Sequence, residues 1–256
     1  MTPEFPIPEN LLYFNSANLS FCPSSVIRAV ETHRNNFEFN PTLGLKTAWK
    51  KLWQVQSELA NFFSARPTDL ILRPNVTEVL NAFILGYPSS NGDEILIGEL
   101  EYGSIFNICR FKAEQNNLSL RVLKIPQSQI ALAQLTEDRL LEHIESQFSS
   151  KTKILVLSHV IASLGLQIPL KRLAQITRSR DIILMIDGAY APGAIDVDFS
   201  DLEEVDFYGC SLYKWMLGPK GTGFGWVHPK HQSKLQPRPR GRHVQWNECV
   251  PQSSFA

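Results

Sequence analysis

Ile182-Ile-Leu-Met-Ile-Asp187-Gly-Ala-Tyr-Ala-Pro-Gly193 runs five apolar residues into a carboxylate and then into a turn bounded by glycines. A continuous apolar run of that length, ended by turn residues, is the pattern of a strand buried on both faces. Ligands of an open sheet of such strands bind beyond the carboxyl ends, which is where Asp187 stands. A carboxylate delivered there needs a partner. Asp before Gly is also ordinary turn chemistry, so a capping role stands beside a functional one, an anion facing a cationic ring nitrogen.

The chain on either side alternates. Upstream, the patterns predict strands over residues 69–73, 94–97, 120–124 and 154–158, with helices over 79–85, 103–115, 137–148 and 170–179. Downstream, strands are expected over 207–209 and 223–227. Nearer the N-terminus, Pro23-Ser24-Ser25 reads as a helix start. Residues 47–63 place Trp49, Leu52, Trp53, Leu59, Phe62 and Phe63 at helical spacing, which predicts a helix packed on a neighbour. Strands and helices alternating at these lengths imply an α/β fold, a mostly parallel sheet between helices in an α/β/α sandwich. The expected organisation is an arm over 1–20, a large domain over 21–230, and a loop over 231–256 that includes the basic stretch from Gln236 to Arg242.

Composition narrows the function classes. Of 256 residues, 43% are hydrophobic and 20% charged, enough for a sizeable core. Lys plus Arg and Asp plus Glu number 25 each, and no basic run interleaves with aromatics, which argues against a nucleic-acid partner. The apolar runs fall short of a membrane span and the N-terminus lacks a basic segment followed by an apolar one, so a cytoplasmic protein off the membrane is expected. Cys22, Cys109, Cys210 and Cys249 are scattered, with no pairing that suggests a zinc site or disulfides.

Polar residues that follow apolar strands are the first candidates for chemistry: Asn75 to Thr77, Glu101-Tyr102, Ser158-His159, Asp187 to Tyr190, and the loop Ser211-Leu-Tyr-Lys214. Lys214 lies between Tyr213 and Trp215, with Gly218-Pro-Lys-Gly-Thr-Gly223 beyond. Partial desolvation there lowers an amine's pKa and frees it for Schiff-base formation. A lone lysine is ordinarily a solvated surface group. Asp-Gly-Ala after a strand, followed by Ser-x-x-Lys and the glycine-rich turn, is more specific than either half.

These motifs, with Pro74-Asn-Val-Thr-Glu-Val-Leu-Asn81 and Ser158-His-Val160, resemble the class V aminotransferases. Those are fold-type I enzymes dependent on pyridoxal 5'-phosphate (PLP), and the likeness is greatest to the isopenicillin-N-epimerase-like and cysteine-desulfurase-like branches. The resemblance implies that Lys214 holds PLP as a Schiff base and carries the proton at the substrate α-carbon. Asp187 would hold the pyridinium proton. Val76 and Thr77 would offer a helix N-terminus to the phosphate, with Ser211 and Tyr213 adding contacts. Tyr102 would stack on the ring, His159 would lie near the cofactor, and Tyr190 would lie near its phenolic oxygen. For Val76 and Thr77 a plain helix cap, for Tyr102 a core role and for His159 a structural role remain open.

The resemblance also implies an amino-acid substrate and a homodimer. Tyr190 stands where the family has His or Gln, Tyr213 where it has His, and Ala162 where a polar residue often reaches the cofactor. The family continues into a small C-terminal domain carrying an arginine for the substrate carboxylate, and none of Arg238, Arg240 or Arg242 matches that motif. The expectations are therefore an epimerase- or aminotransferase-like enzyme, or a catalytically silent or split protein that needs a partner chain. A nicotinamide-binding reading fails for want of a GxGxxG turn after the first strand.

Overall fold

The computed structural model describes residues 4–236. Helices α1 (Ser24–Phe39) and α2 (Pro41–Phe62) are parted at Asn40, whose side chain accepts a hydrogen bond from the Leu43 amide while Pro41 opens the next helix. That Asn-Pro pair starts α2 six residues before the expected position 47. A 3₁₀ turn over Pro67–Asp69 leads into β1 (Leu70–Arg73), so the expected strand loses its first residue to the turn. Asn75 then caps α3 (Val76–Gly86) by accepting from the Glu78 amide, and the helix starts three residues ahead of its expected position.

There follow β2 (Glu94–Gly98), α4 (Gly103–Asn116), β3 (Ser119–Leu123), α5 (Gln129–Ala133), α6 (Glu137–Glu145) and β4 (Thr152–Ser158). A short hairpin, β5 (Val160–Ile161) with β6 (Leu166–Gln167), precedes α7 (Leu170–Ser179) and β7 (Ile183–Asp187). Then come β8 (Phe207–Ser211), β9 (Gly223–Val227) and α8 (Pro229–Gln232). Residues 231 and 232, expected in a loop, thus close a helix. Arg238, Arg240, Arg242 and Cys249 lie outside the described residues.

The main sheet has the order β1-β9-β8-β7-β4-β2-β3. From β8 to β3 every pair is parallel, and only β9 runs against its neighbours. Side chains alternate across it as the pleat requires. Leu96, Leu155, Leu157, Leu184 and Ile186 point to the face covered by α2, α6 and α7. Ile95, Ile97, Ile154, Val156 and Met185 point to the face covered by α3 and α4. Both faces are buried, which is why the strands read as unbroken apolar runs. The apolar stripe expected to bury α2 does so only toward its end. Phe63 joins the core, while Trp49 remains 73% exposed and Phe39, at the close of α1, 93% exposed.

Candidate active site

The parallel strands put their carboxyl ends at one edge of the sheet. Ser158 ends β4 directly beside Asp187, which ends β7, and Asp187 in turn pairs with Gly209 of β8. The segment after β8 returns so closely that a Cβ on Gly223 would lie 2.6 Å from the Cys210 carbonyl and 3.0 Å from Asn75 Cα. Glycine at the start of β9 therefore lets the N-terminus of α3 close on the end of β8. There the Val76 amide donates to Ser211 Oγ at 3.0 Å, which leaves the serine O–H free to donate elsewhere. The Thr77 amide has no acceptor among the described residues.

Asp187 is buried, and one of its oxygens accepts from the Ala189 amide at 2.8 Å. Its other oxygen has no donor among the described residues. Burial raises the Asp187 pKa, with the Ala189 hydrogen bond and the charge of Lys214 opposing the rise. Burial in turn lowers the pKa of Lys214, against the pull of Asp187, Tyr213, Tyr102 and Cys210. The Lys214 ammonium sits 3.7 Å from the centroid of the Tyr190 ring. The site thus holds a carboxylate and an amine at the sheet mouth, each pushed by burial toward its neutral form.

His159 lies deeper. Its amide donates to the Asp187 carbonyl at 2.9 Å, and its Nδ1 is 2.9 Å from the Tyr208 hydroxyl. Burial takes its pKa down to about 4, so the ring is neutral at physiological pH. Tyr208 itself passes under the Asp187 turn, where a Cβ on Gly188 would fall 2.1 Å from the ring. Tyr102, at the N-cap of α4, is 61% exposed and stands at the rim. Tyr213 is half-buried, with its carbonyl accepting from the Ser20 amide.

Asp187, Tyr190, Tyr102, Tyr213 and Lys214 share one electrostatic neighbourhood, while Val76, Thr77 and Ser211 cluster at the start of α3. His159 joins the first group only through the Asp187 backbone and Tyr208. The sequence assigns no role to two side chains of this neighbourhood: Tyr208, which is not a candidate there, and Glu101, which stands among the strand-end candidates without a role. Tyr208 orients His159, and Glu101 accepts from both the amide and the hydroxyl of Ser158. An acidic residue directly before Tyr102 in a strand-end loop was the only sequence signal for Glu101. Among the described residues no group of three His, Cys, Asp or Glu side chains could hold a metal ion.

Residues 12–253 match the family model described as aminotransferase class-V. The chain belongs to that family. Among class-V relatives, isopenicillin N epimerase of Streptomyces clavuligerus is 30% identical over 203 residues, which are 79% of this chain and 48% of that protein. A probable cysteine desulfurase of Methanothermobacter thermautotrophicus is 23% identical over 238 residues, 91% of this chain and 57% of that one. The chain spans about half the length of these curated relatives. A structure of a C-DES mutant with glycine covalently linked to its PLP cofactor superposes with a TM-score of 0.85 at 24% identity, covering 93% of this chain and 62% of that one.

The fold is accordingly that of fold-type I PLP enzymes, as the sequence implied. PLP is the cofactor that goes with this class-V family and fold. The residues present fit such a group. Among the described residues, an Asp187 oxygen without a donor, an amine without a hydrogen-bond acceptor, the open Thr77 amide and the Ser211 hydroxyl supply an anion for a ring nitrogen, a nucleophile for an aldehyde and donors for a phosphate.

Proposed function

We propose that this chain binds PLP covalently through Lys214 and works at the α-carbon of an amino acid, in the epimerase- or aminotransferase-like part of the family. The observation that carries the reading is the Lys214 amine at the mouth of the sheet, its pKa lowered by burial and its charge facing buried Asp187. When bound, the cofactor supplies an electron-withdrawing ring that takes up the electron pair released at the α-carbon.

The chain's own groups do the rest. Asp187, acting as an anion, holds a proton on the ring nitrogen. Ser211 and Thr77 donate to the phosphate, with the α3 N-terminus behind them. Tyr102 and Tyr213 close the rim and limit water. The released Lys214 amine takes the α-proton and returns it, on one face or the other, at Nζ. His159, kept neutral, steadies the Asp187 strand end through its amide and Tyr208 rather than carrying a proton.

The test is borohydride reduction of the PLP-treated protein followed by peptide mass mapping. The expected result is one phosphopyridoxyl group on Lys214 and none in Lys214→Ala. Label on another lysine, or no label on folded protein, would overturn the assignment.

We also read the protein as a homodimer, supported by the uncovered apolar surface of α1 and α2, and as cytoplasmic. A second reading, a silent or split protein that needs a partner chain, rests on Ala162 and on Tyr190 and Tyr213 in place of the family's usual residues. Turnover of any amino acid by this chain alone would dismiss it.

A further inference from the structure

Tyr190 stands directly at the Lys214 charge, with its ring centroid 3.7 Å from Nζ. Among the described residues Lys214 makes no ion pair and no side-chain hydrogen bond, so the aromatic face is the ammonium's direct partner. The arrangement is built into the backbone. Gly193, three residues past Tyr190, has φ +87°, and a Cβ there would lie 2.5 Å from the Trp215 carbonyl and 2.9 Å from the Met216 amide nitrogen. The Asp187 turn and the Lys214 loop are therefore interlocked main chain to main chain, and the Ala194 and Ile195 amides, both donating to the Ala191 carbonyl, hold the turn in shape. That contact fixes the spacing of the two backbone segments that carry Tyr190 and Lys214.

We propose that Tyr190 is a positioning residue that seats the ammonium form of Lys214 whenever its amine is not bonded to the cofactor. The proposal rests on the reading of Lys214 as the attachment point, but the pairing itself is a property of the protein without cofactor. A π face attracts a cation and is indifferent to a neutral amine, so the ring stabilises the protonated lysine and holds Nζ, with its proton, in one place. It does so beside Asp187, Tyr102, Tyr213 and Cys210, the other groups that favour the charged form, and against the burial that disfavours it. A histidine or glutamine at this position would offer a polar edge in place of the extended face. The tyrosine ring thus shifts the balance of the released lysine toward a proton-loaded, fixed state.

The experiment uses the cofactor-free full chain with its lysines reductively methylated with ¹³C-formaldehyde, the Lys214 resonance being assigned by its loss in Lys214→Arg. The expected result is an upfield, ring-current-shifted Lys214 signal in the wild type and in Tyr190→Phe, absent in Tyr190→Leu. The Lys214 pKa should fall by roughly half to one unit in Tyr190→Leu, a three- to tenfold change in the protonation equilibrium, and stay near wild type in Tyr190→Phe. A wild-type signal without ring-current shift would overturn the proposal without recourse to any variant. So would a Tyr190→Phe pKa displaced as far as that of Tyr190→Leu, since the hydroxyl and not the ring would then be responsible. Because this readout involves no cofactor, failure of PLP to attach at Lys214 would count against the proposed function and leave the pairing to be judged on its own signal.

Discussion

The carboxyl group of Glu101 accepts hydrogen bonds from both the backbone amide of Ser158, at 2.8 Å, and its hydroxyl, at 2.6 Å. The fit depends on Gly98, since a Cβ there would lie 2.8 Å from Glu101 Oε1. Burial, followed by the charge of Asp187 on the far side of β4, pushes the Glu101 pKa up to about 8 against those two bonds. Cys109, from α4, is the other titratable group coupled to it. An unfolded glutamate titrates near pH ~4.3. The native state therefore binds an extra proton between the two values, and its stability is greatest below the lower and is lost as pH rises through the upper. Urea unfolding should show a stability loss on the order of 5 kcal/mol across that window in wild type, largely absent in Glu101→Gln. Parallel pH profiles for the two proteins would place the titration elsewhere.

Gly188→Ala should destabilise the protein by about 1–3 kcal/mol, because the new methyl would overlap the buried Tyr208 ring. Asp187 precedes that residue, so cofactor affinity should fall with stability. Gly103→Ala, where no atom stands within 4 Å, is the matched control and should be near neutral in the same thermal melts.

Asp206 is buried and accepts from the Leu184 amide at 2.8 Å, His231 Nε2 at 2.6 Å and Lys230 Nζ at 2.8 Å. Although burial opposes it, His231 and Lys230 draw its pKa below the ordinary value. The stability it contributes is thus present above the unfolded carboxyl pKa and lost as pH falls through the folded one. Asp206→Ala strands the buried groups of β7 and α8 and should cost roughly 3–5 kcal/mol by denaturant titration at neutral pH. A loss under about 1 kcal/mol would mean that water replaces the carboxylate.

If α1 and α2 form the contact between copies, Trp49→Glu combined with Phe39→Lys should shift the sedimenting species from dimer to monomer while leaving the circular dichroism unchanged. An unaltered dimer would move the interface to another face.

The parallel core was legible because strands buried on both sides must be apolar throughout, as at Ile154 to Leu157 and Ile182 to Ile186. Boundaries set by caps were less so. Asn40-Pro41 and Asn75 start helices ahead of their apolar periodicity, and α5 hides in a stretch whose Ile130 is 75% exposed. The placement of Asp187 at the end of β7, with Lys214 close by, was readable from strand-end position and flanking turns. Glu101 was readable as a strand-end candidate but not for its role, and Tyr208 was not readable at all, because their importance lies in contacts across the sheet, with Ser158 and His159, that no local pattern encodes.

The hydrogen bond from Val76 to Ser211 joins residues 135 positions apart. A ribosome must deliver nearly the whole described chain before that bond can close, so the donors proposed for the phosphate come together late in synthesis. A ligand that recognises them selects the finished fold over every precursor, acting as a checkpoint for newly made protein. Cells starved of such a ligand should accordingly accumulate less of this protein at an unchanged rate of translation.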